Sequence, residues 1–336
     1  MAGVDLENTG YHPTATGPTG PVSEKWVFET GDRVVAGAAV SDGVAYIGSF
    51  DGHFYAIDIE TGEEVWSTDL TYGFFAGTAT IVDDLVVVND GASSLYALNR
   101  HTGEKVWDTK RIAFHAVGSP TIIENKIYTH TEDGYLTTIT LDSGKVSNEI
   151  SLAPTGAETT AFSEKLLYTI GRPYTITAVD VVSGEKKWTA DTGRVMKGLA
   201  ITDELVLTGS QKPKAVHAVS KANGEIRWEC EVETPVYSSV SVSSQSFFVC
   251  TKTNITKGNL AGEIEWTIDR AGRRSNPSLT DKHVFTGTTE GMGAYDRDSS
   301  EEMWFYETDN AVDSPPTIVN ETLIFGAKNG NVYALE

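Results

Sequence analysis

Residues 95–107 read Leu95-Tyr96-Ala97-Leu98-Asn99-Arg100-His101-Thr102-Gly103-Glu104-Lys105-Val106-Trp107. A short β-prone run ends in a polar turn closed by glycine, and a second run then alternates up to a tryptophan. The same phrase stands at Tyr55-Ala56-Ile57-Asp58 with Thr61-Gly62-Glu63-Glu64-Val65-Trp66, and its opening recurs at Thr177-Ala178-Val179-Asp180 and His217-Ala218-Val219-Ser220. The chain's seven tryptophans are Trp26, Trp66, Trp107, Trp188, Trp228, Trp266 and Trp304, separated by 40, 41, 81, 40, 38 and 38 residues. The long gap is two periods, with Asn148 where an eighth tryptophan would fall. Four residues before each landmark after Trp26 lies Gly62, Gly103, Gly144, Gly184, Gly224 or Gly262, with Ser300 as the exception. Every tryptophan therefore occupies one phase of one repeat.

Inside a unit the pattern alternates with period two and breaks at turn residues. Ser119-Pro120-Thr121-Ile122-Ile123 is a strand, Glu124-Asn125 a turn, and Lys126-Ile127-Tyr128-Thr129-His130 the next strand. Asp133-Gly134 turns into Tyr135-Leu136-Thr137-Thr138-Ile139, and Asp142-Ser143-Gly144 turns into the landmark strand. Glycine after Asx suits such hairpins because it takes positive φ without steric cost. Four strands per roughly 40 residues is the spacing of a propeller blade. The C-terminal Val332-Tyr333-Ala334-Leu335-Glu336 is the third strand of a unit lacking its tryptophan strand, and Glu24-Lys25-Trp26-Val27-Phe28 supplies that strand. The expected fold is all-β: an eight-bladed propeller of four-stranded antiparallel blades over residues 24–336, closed by pairing of its terminal strands. Residues 1–23, rich in Gly, Pro and Thr, read as a tether or lead-in.

Composition narrows the function. With 40% apolar and 22% charged residues the chain is globular, and no apolar run approaches the roughly eighteen residues a membrane span needs. Forty-seven acidic against 26 basic residues give a net charge of −21, which argues against a general nucleic-acid binder and fits a hydrated acidic surface, as in a high-salt habitat. The start Met1-Ala2-Gly3-Val4-Asp5 carries no export signal as written. Cys230 and Cys250 match no metal motif; they read as two half-buried strand residues or as one disulfide. Asn254-Ile255-Thr256 and Asn320-Glu321-Thr322 match the glycosylation acceptor pattern.

The phrases at 51–66 and 95–107 resemble the repeat of the pyrroloquinoline-quinone-type (PQQ-like) β-propellers, and the resemblance covers residues 24–336. Asn8-Thr9-Gly10 with Gly17-Pro18-Thr19-Gly20 is similar to the lead-in of secreted haloarchaeal members. The resemblance implies that the tryptophans dock between neighbouring blades as a girdle. The unit of Asn148 lacks this dock, and Ile255-Thr256-Lys257-Gly258 is a degenerate third strand, so looser blade contacts are expected there. It also implies export or surface anchoring, as in the propeller lipoprotein of the bacterial barrel-assembly machinery.

A quinoprotein dehydrogenase of this family would be longer and would carry adjacent cysteines beside the quinone, whereas Cys230 and Cys250 are twenty residues apart. The seven histidines show no metal-ligand spacing, and neither a nucleophile elbow nor a phosphate-binding loop is present. No catalytic residue, cofactor or metal is assigned. The expected function is a monomeric, non-catalytic scaffold that binds a protein or peptide; the alternative is a sensor or enzyme holding a small ligand in the central funnel. The loops that leave each tryptophan strand should ring one funnel mouth with Arg33, Phe74, Phe75, Phe114, His115, Arg194, Lys197, Tyr237, Arg273 and Arg274. The same loops carry Glu158 and Asp313, so five cations and four aromatic rings meet two carboxylates. An anionic segment gripped by Arg194, Arg273 and Arg274 is the ligand this pattern suggests.

Overall fold

The structure, a computed structural model, describes residues 5–70, 75, 77–90, 94–110, 119–131, 134–152, 160–171, 174–270 and 274–336, with the side chains of 110 and 195–197 excepted. Among these residues every regular element is a strand, and the strands form eight four-stranded antiparallel sheets. Seven sheets use consecutive strands, starting on the inside at Ala39–Ser41, Thr80–Val82, Thr121–Ile123, Ala161–Ser163, Val195–Ile201, Ser241–Val242 and Ser278–Leu279; these define blades 1 to 7. Blade 8 begins at Thr317–Val319 and is completed by Glu24–Glu29, which pairs antiparallel with Asn331–Leu335. The termini close the ring as the repeat predicts, and no blade edge faces a gap.

One local device recurs from blade to blade. The tryptophan strand faces a small residue on the third strand, as in Ala56 opposite Trp66, Ala97 opposite Trp107 and Ala178 opposite Trp188, and each pairing shifts register just beyond it. That β-bulge raises the local twist and turns the indole toward the next blade. There Trp66 Nε1 donates to the Arg100 carbonyl at 2.9 Å and Trp107 Nε1 to the Leu141 carbonyl at 2.7 Å. Below the Trp66 ring lies Gly103, at φ 72°, where a Cβ would come within 2.6 Å of the indole. Only glycine fits both the left-handed turn and the ring above it.

Blade 6 departs from expectation. Its third strand Ile255–Asn259 pairs fully with both neighbours, so it is not degenerate in structure. Lys257 stands where six of the other seven blades have alanine; its ammonium, buried beside Trp266, reaches Glu265 at 2.7 Å and Asp298 of blade 7 at 3.5 Å. The ion pair with Asp298 crosses the junction and ties the two blades.

The reading of residues 1–23 as a tether is corrected for residues 5–23, which are bonded along the propeller. The carbonyls of Leu6, Glu7, Thr9 and Gly10 accept from Phe162, Ile201, Val242 and Leu279 on the inner strands of blades 4, 5, 6 and 7. His12 N then donates back to the Leu279 carbonyl, and Gly17 N to the Asn320 carbonyl of blade 8. The segment follows blades 4 to 8 in order because unpaired main-chain groups at the ends of the inner strands need partners there.

Candidate functional site

Antiparallel strands put alternate connections at opposite ends of the ring. The first-to-second and third-to-fourth turns lie at one end, here the turn end. The second-to-third loops and the connections between blades lie at the other, the loop end. The lead-in bonds Phe162, Ile201, Val242 and Leu279 at the turn-end limits of their strands, so the mouth predicted from sequence is the opposite one. Between them the channel holds a cavity of about 430 Å³, floored by Asn8, Gly10 and His12 and walled by Thr78, Ser239 and Asn276 among others. Burial lowers the His12 pKa to about 4.

The wall is built by a belt of hydroxyls. Ser241, Ser278 and Thr317 each donate to a main-chain carbonyl of the following blade, namely Pro277 at 2.5 Å, Pro316 at 2.5 Å and Ala38 at 2.8 Å. Thr80 repeats this with Pro120 at 2.7 Å. These belt positions fix a register for the loops that precede them. Five residues before Thr80, Ser241 and Thr317, and before Ala39 at the same place in blade 1, stand Phe75, Val236, Val312 and Val34, all buried. Each fills a hole left by a glycine on the second strand of the preceding blade: Gly48, Gly209, Gly287 and Gly326, where a Cβ would overlap it.

This register sorts the predicted mouth residues. Phe75 belongs to the buried key row; it is 1% exposed, its ring 5.7 Å from that of Phe54, so as a wall of the mouth it is corrected to a core residue. One position later come Tyr237, Arg274 and Asp313, equivalent residues on blades 6, 7 and 8 and hence neighbours around the rim. Tyr237 is half-buried and Arg274 exposed. Asp313 is buried in a 2.6 Å ion pair with Lys328, which takes it off the list of free mouth carboxylates. One position before the key row stand Arg33 and Arg194, both exposed. The Arg33 guanidinium lies 4.1 Å from the Phe50 ring centre, and Arg194 is held through its main chain by Gln211 and Lys212. Lys197 sits in the strand Val195–Ile201, but its side chain, together with Phe74, Phe114, His115, Glu158 and Arg273, lies outside the described residues.

Among the described residues Arg194 and Arg274 make no ion pair. Arg270, on the same end, is engaged by Glu302 at 2.5 Å, by Glu290 at 3.4 Å and by the Phe305 ring. The two cysteines are free, buried and on different strands; burial pushes the Cys250 thiol up to about 12, and its Sγ lies 3.1 Å from Thr286 Oγ1. No group of three or more His, Cys, Asp or Glu side chains among the described residues is placed to hold a metal ion. The sequence reading missed the key row and the lead-in floor. The key row's signal was an apolar residue five positions before the belt place in blades 1, 2, 6 and 8, where blade 7 has Arg273.

The fold and its tryptophan girdle define a PQQ-like repeat propeller. The sequence model of the family described as "Outer membrane protein assembly factor BamB" matches residues 22–230, more than half of the chain, and the chain belongs to that family. No curated protein sequence matches it significantly. Among solved structures it is similar to BamB from Moraxella catarrhalis, at 16% identity and a TM-score of 0.69 over 98% of this chain and 97% of that one. It is also similar to the quinohemoprotein alcohol dehydrogenase from Comamonas testosteroni, at 14% identity and a TM-score of 0.85, covering 99% of this chain and 79% of that one. The computationally designed Ika8 protein aligns with a TM-score of 0.78 at 14% identity, over 91% and 96% of the two chains. At such identities these likenesses concern the fold.

Proposed function

We propose that this chain is a non-catalytic propeller, exported or held at a cell surface, that receives an anionic segment of a protein partner at its loop end. The observation that carries the reading is the pair Arg194 and Arg274: two exposed guanidinium groups without ion pairs among the described residues, in a chain of net charge −21. An acidic protein that leaves arginines unpaired on one face offers carboxylates a bidentate partner there. Tyr237, half-buried on the same rim, adds an amphipathic ring of the type that anchors peptide segments. Membership in a family described as an outer membrane protein assembly factor supports a protein partner over a small substrate.

The test uses fluorescent peptides of alternating acidic and aromatic residues against the whole chain, with their amide counterparts as controls. Binding should weaken on raising salt, and the double variant Arg194→Ala/Arg274→Ala should lose about tenfold or more, as expected for charge-assisted contacts. Unchanged affinity in that variant would move the site to the outer rim of the blades.

A second reading rests on the channel cavity of about 430 Å³, which is large enough for a small polar ligand. Calorimetric titration with sugars, quinones and metal ions addresses it. Heat of binding that persists in the double arginine variant would favour this reading.

A further inference from the structure

Seven indoles share one arrangement. Nε1 donates to a main-chain carbonyl at the next junction, 2.7–3.1 Å away: Ile59 for Trp26, Arg100 for Trp66, Leu141 for Trp107, Lys221 for Trp188, Leu260 for Trp228, Arg297 for Trp266, and Pro18 of the lead-in for Trp304. The eighth junction, between blades 3 and 4, has Asn148 in the tryptophan's place, and Asn148 is exposed. The receiving half of the dock is nevertheless built. Gly184 sits at φ 73°, beside 74° for Gly62 and 72° for Gly103. Three residues before Gly184 is Val181, as Ile59 is three before Gly62 and Arg100 three before Gly103. No side chain among the described residues donates to the Val181 carbonyl. The space over the glycine is less filled as well, with Ile150 at ordinary contact distance and no ring above it. A Cβ on Gly62, Gly103, Gly144 or Gly224 would come within 2.5–2.6 Å of an indole carbon, whereas on Gly184 its nearest neighbour is Ile150 at 3.4 Å.

Two further residues point into this place. Tyr128 is the blade 3 equivalent of Tyr46 and Tyr168, whose rings lie 5.8 and 5.7 Å from the indoles of Trp66 and Trp188. Tyr46 Oη also donates at 3.1 Å to the Arg100 carbonyl that receives Trp66. Tyr128 is only 4% exposed, and its hydroxyl has no partner among the described residues. Val182, one residue past the waiting carbonyl, is 82% exposed, the most exposed large apolar side chain described. Its equivalents in the turns of blades 1, 2 and 3 are polar: Glu60, His101 and Asp142.

We propose that the junction of blades 3 and 4 is a binding site for an indole ring, presented by a tryptophan side chain of a partner protein. The indole N–H would donate to the Val181 carbonyl, the ring face would cover Gly184, and its edge would meet Tyr128. Val182 would extend the apolar contact beyond the rim. The carbonyl acceptor selects a ring that carries a donor, so phenylalanine is a poor occupant. A second copy of this chain is excluded as the source, because all seven of its tryptophans already donate within their own docks. The site lies on the turn end at the outer wall and is independent of the arginines at the loop end.

The probe is N-acetyl-tryptophanamide, titrated by calorimetry against the whole chain, with N-acetyl-phenylalaninamide as the ring without a donor. A saturable isotherm is expected, with a Kd on the order of 0.1–1 mM for a ligand of this size, and at least roughly fivefold weaker binding of the phenylalanine amide. The variant Asn148→Trp should abolish binding by supplying the ring internally. Val182→Glu, a change at an exposed position that leaves the fold untouched, should weaken binding about threefold or more. The proposal is overturned if the tryptophan amide does not saturate by about 10 mM, far above the affinity that ring size allows. It is equally overturned if the phenylalanine amide binds as well, or if either variant leaves binding unchanged.

Discussion

Phe75 shows how one side chain decides between two accounts of a loop. An aromatic residue in a connection between blades reads from sequence as a binding group, since exposed rings dominate recognition surfaces. Its true complement is Gly48, 27 residues earlier on the preceding blade, where the absence of a Cβ makes the hole that the ring fills. Nothing local to Phe75 reveals that hole, and the same row uses valine at positions 34, 236 and 312, so no single residue type marks it. The tryptophan girdle was legible for the opposite reason, because the largest side chain meets the smallest at a fixed spacing along the whole chain. Phe75→Ala is expected to cost about 3 kcal/mol, the usual loss for emptying a buried phenylalanine site. Arg33→Ala, on the same face but exposed, should stay within about 0.5 kcal/mol. Urea denaturation of both variants measures the difference; a Phe75→Ala protein as stable as the parent would return that ring to the mouth.

The lead-in is the element that sequence placed least well. Its Gly, Pro and Thr content marked a connecting segment, but its partners are main-chain groups of four inner strands, and such bonds leave no side-chain pattern. Among its side chains His12 is lodged over the channel, with its pKa lowered to about 4 by burial and only partly offset by Asp5. In the unfolded chain the imidazole takes a proton near pH 6.5, so between about pH 6.5 and 4 the unfolded state binds more protons than the folded one. Stability from this group is therefore full above pH 6.5, falls as pH is lowered, and levels off below about 4. His217, also buried and lowered, acts in the same direction. The expected outcome is that His12→Gln loses less stability than the parent between pH 6.5 and 4, read as the difference in melting temperature between the two proteins. Parallel curves would mean that His12 is as solvated in the folded chain as in the unfolded one.

At the scale of the whole molecule the question is what holds a ring whose last blade is assembled from both ends. Pairing of Glu24–Glu29 with Asn331–Leu335 was legible, because a unit missing its tryptophan strand at one end was matched by a lone tryptophan strand at the other. The dock of Trp304 was not legible. In blades 1, 2, 3, 5, 6 and 7 an indole is received by the covalent turn between third and fourth strands, but in blade 8 that turn does not exist, since those strands are the two ends of the described ring. Pro18 supplies the missing carbonyl at 2.8 Å, and Gly17, at φ 64°, lies against the Phe285 ring beneath it. Ser23 and Glu336 then exchange main-chain bonds at 3.0 and 3.1 Å, which extends the closing ladder by one pair. The lead-in is thus part of the clasp as well as the floor of the channel. Removing residues 1–22 keeps the closing strand but deletes the Pro18 acceptor and the bonds to blades 4 to 7. A loss of about 2–4 kcal/mol is expected, several hydrogen bonds at their modest net worth less the entropy regained by the freed segment. Removing residues 1–30 also strips the outer strand from blade 8, exposes the edge of Asn331–Leu335, and should leave a chain that melts far lower and self-associates. Thermal melts with light scattering would rank parent, shorter deletion and longer deletion in that order. If the shorter deletion melts with the parent, strand pairing alone closes the ring and the lead-in contributes nothing to it.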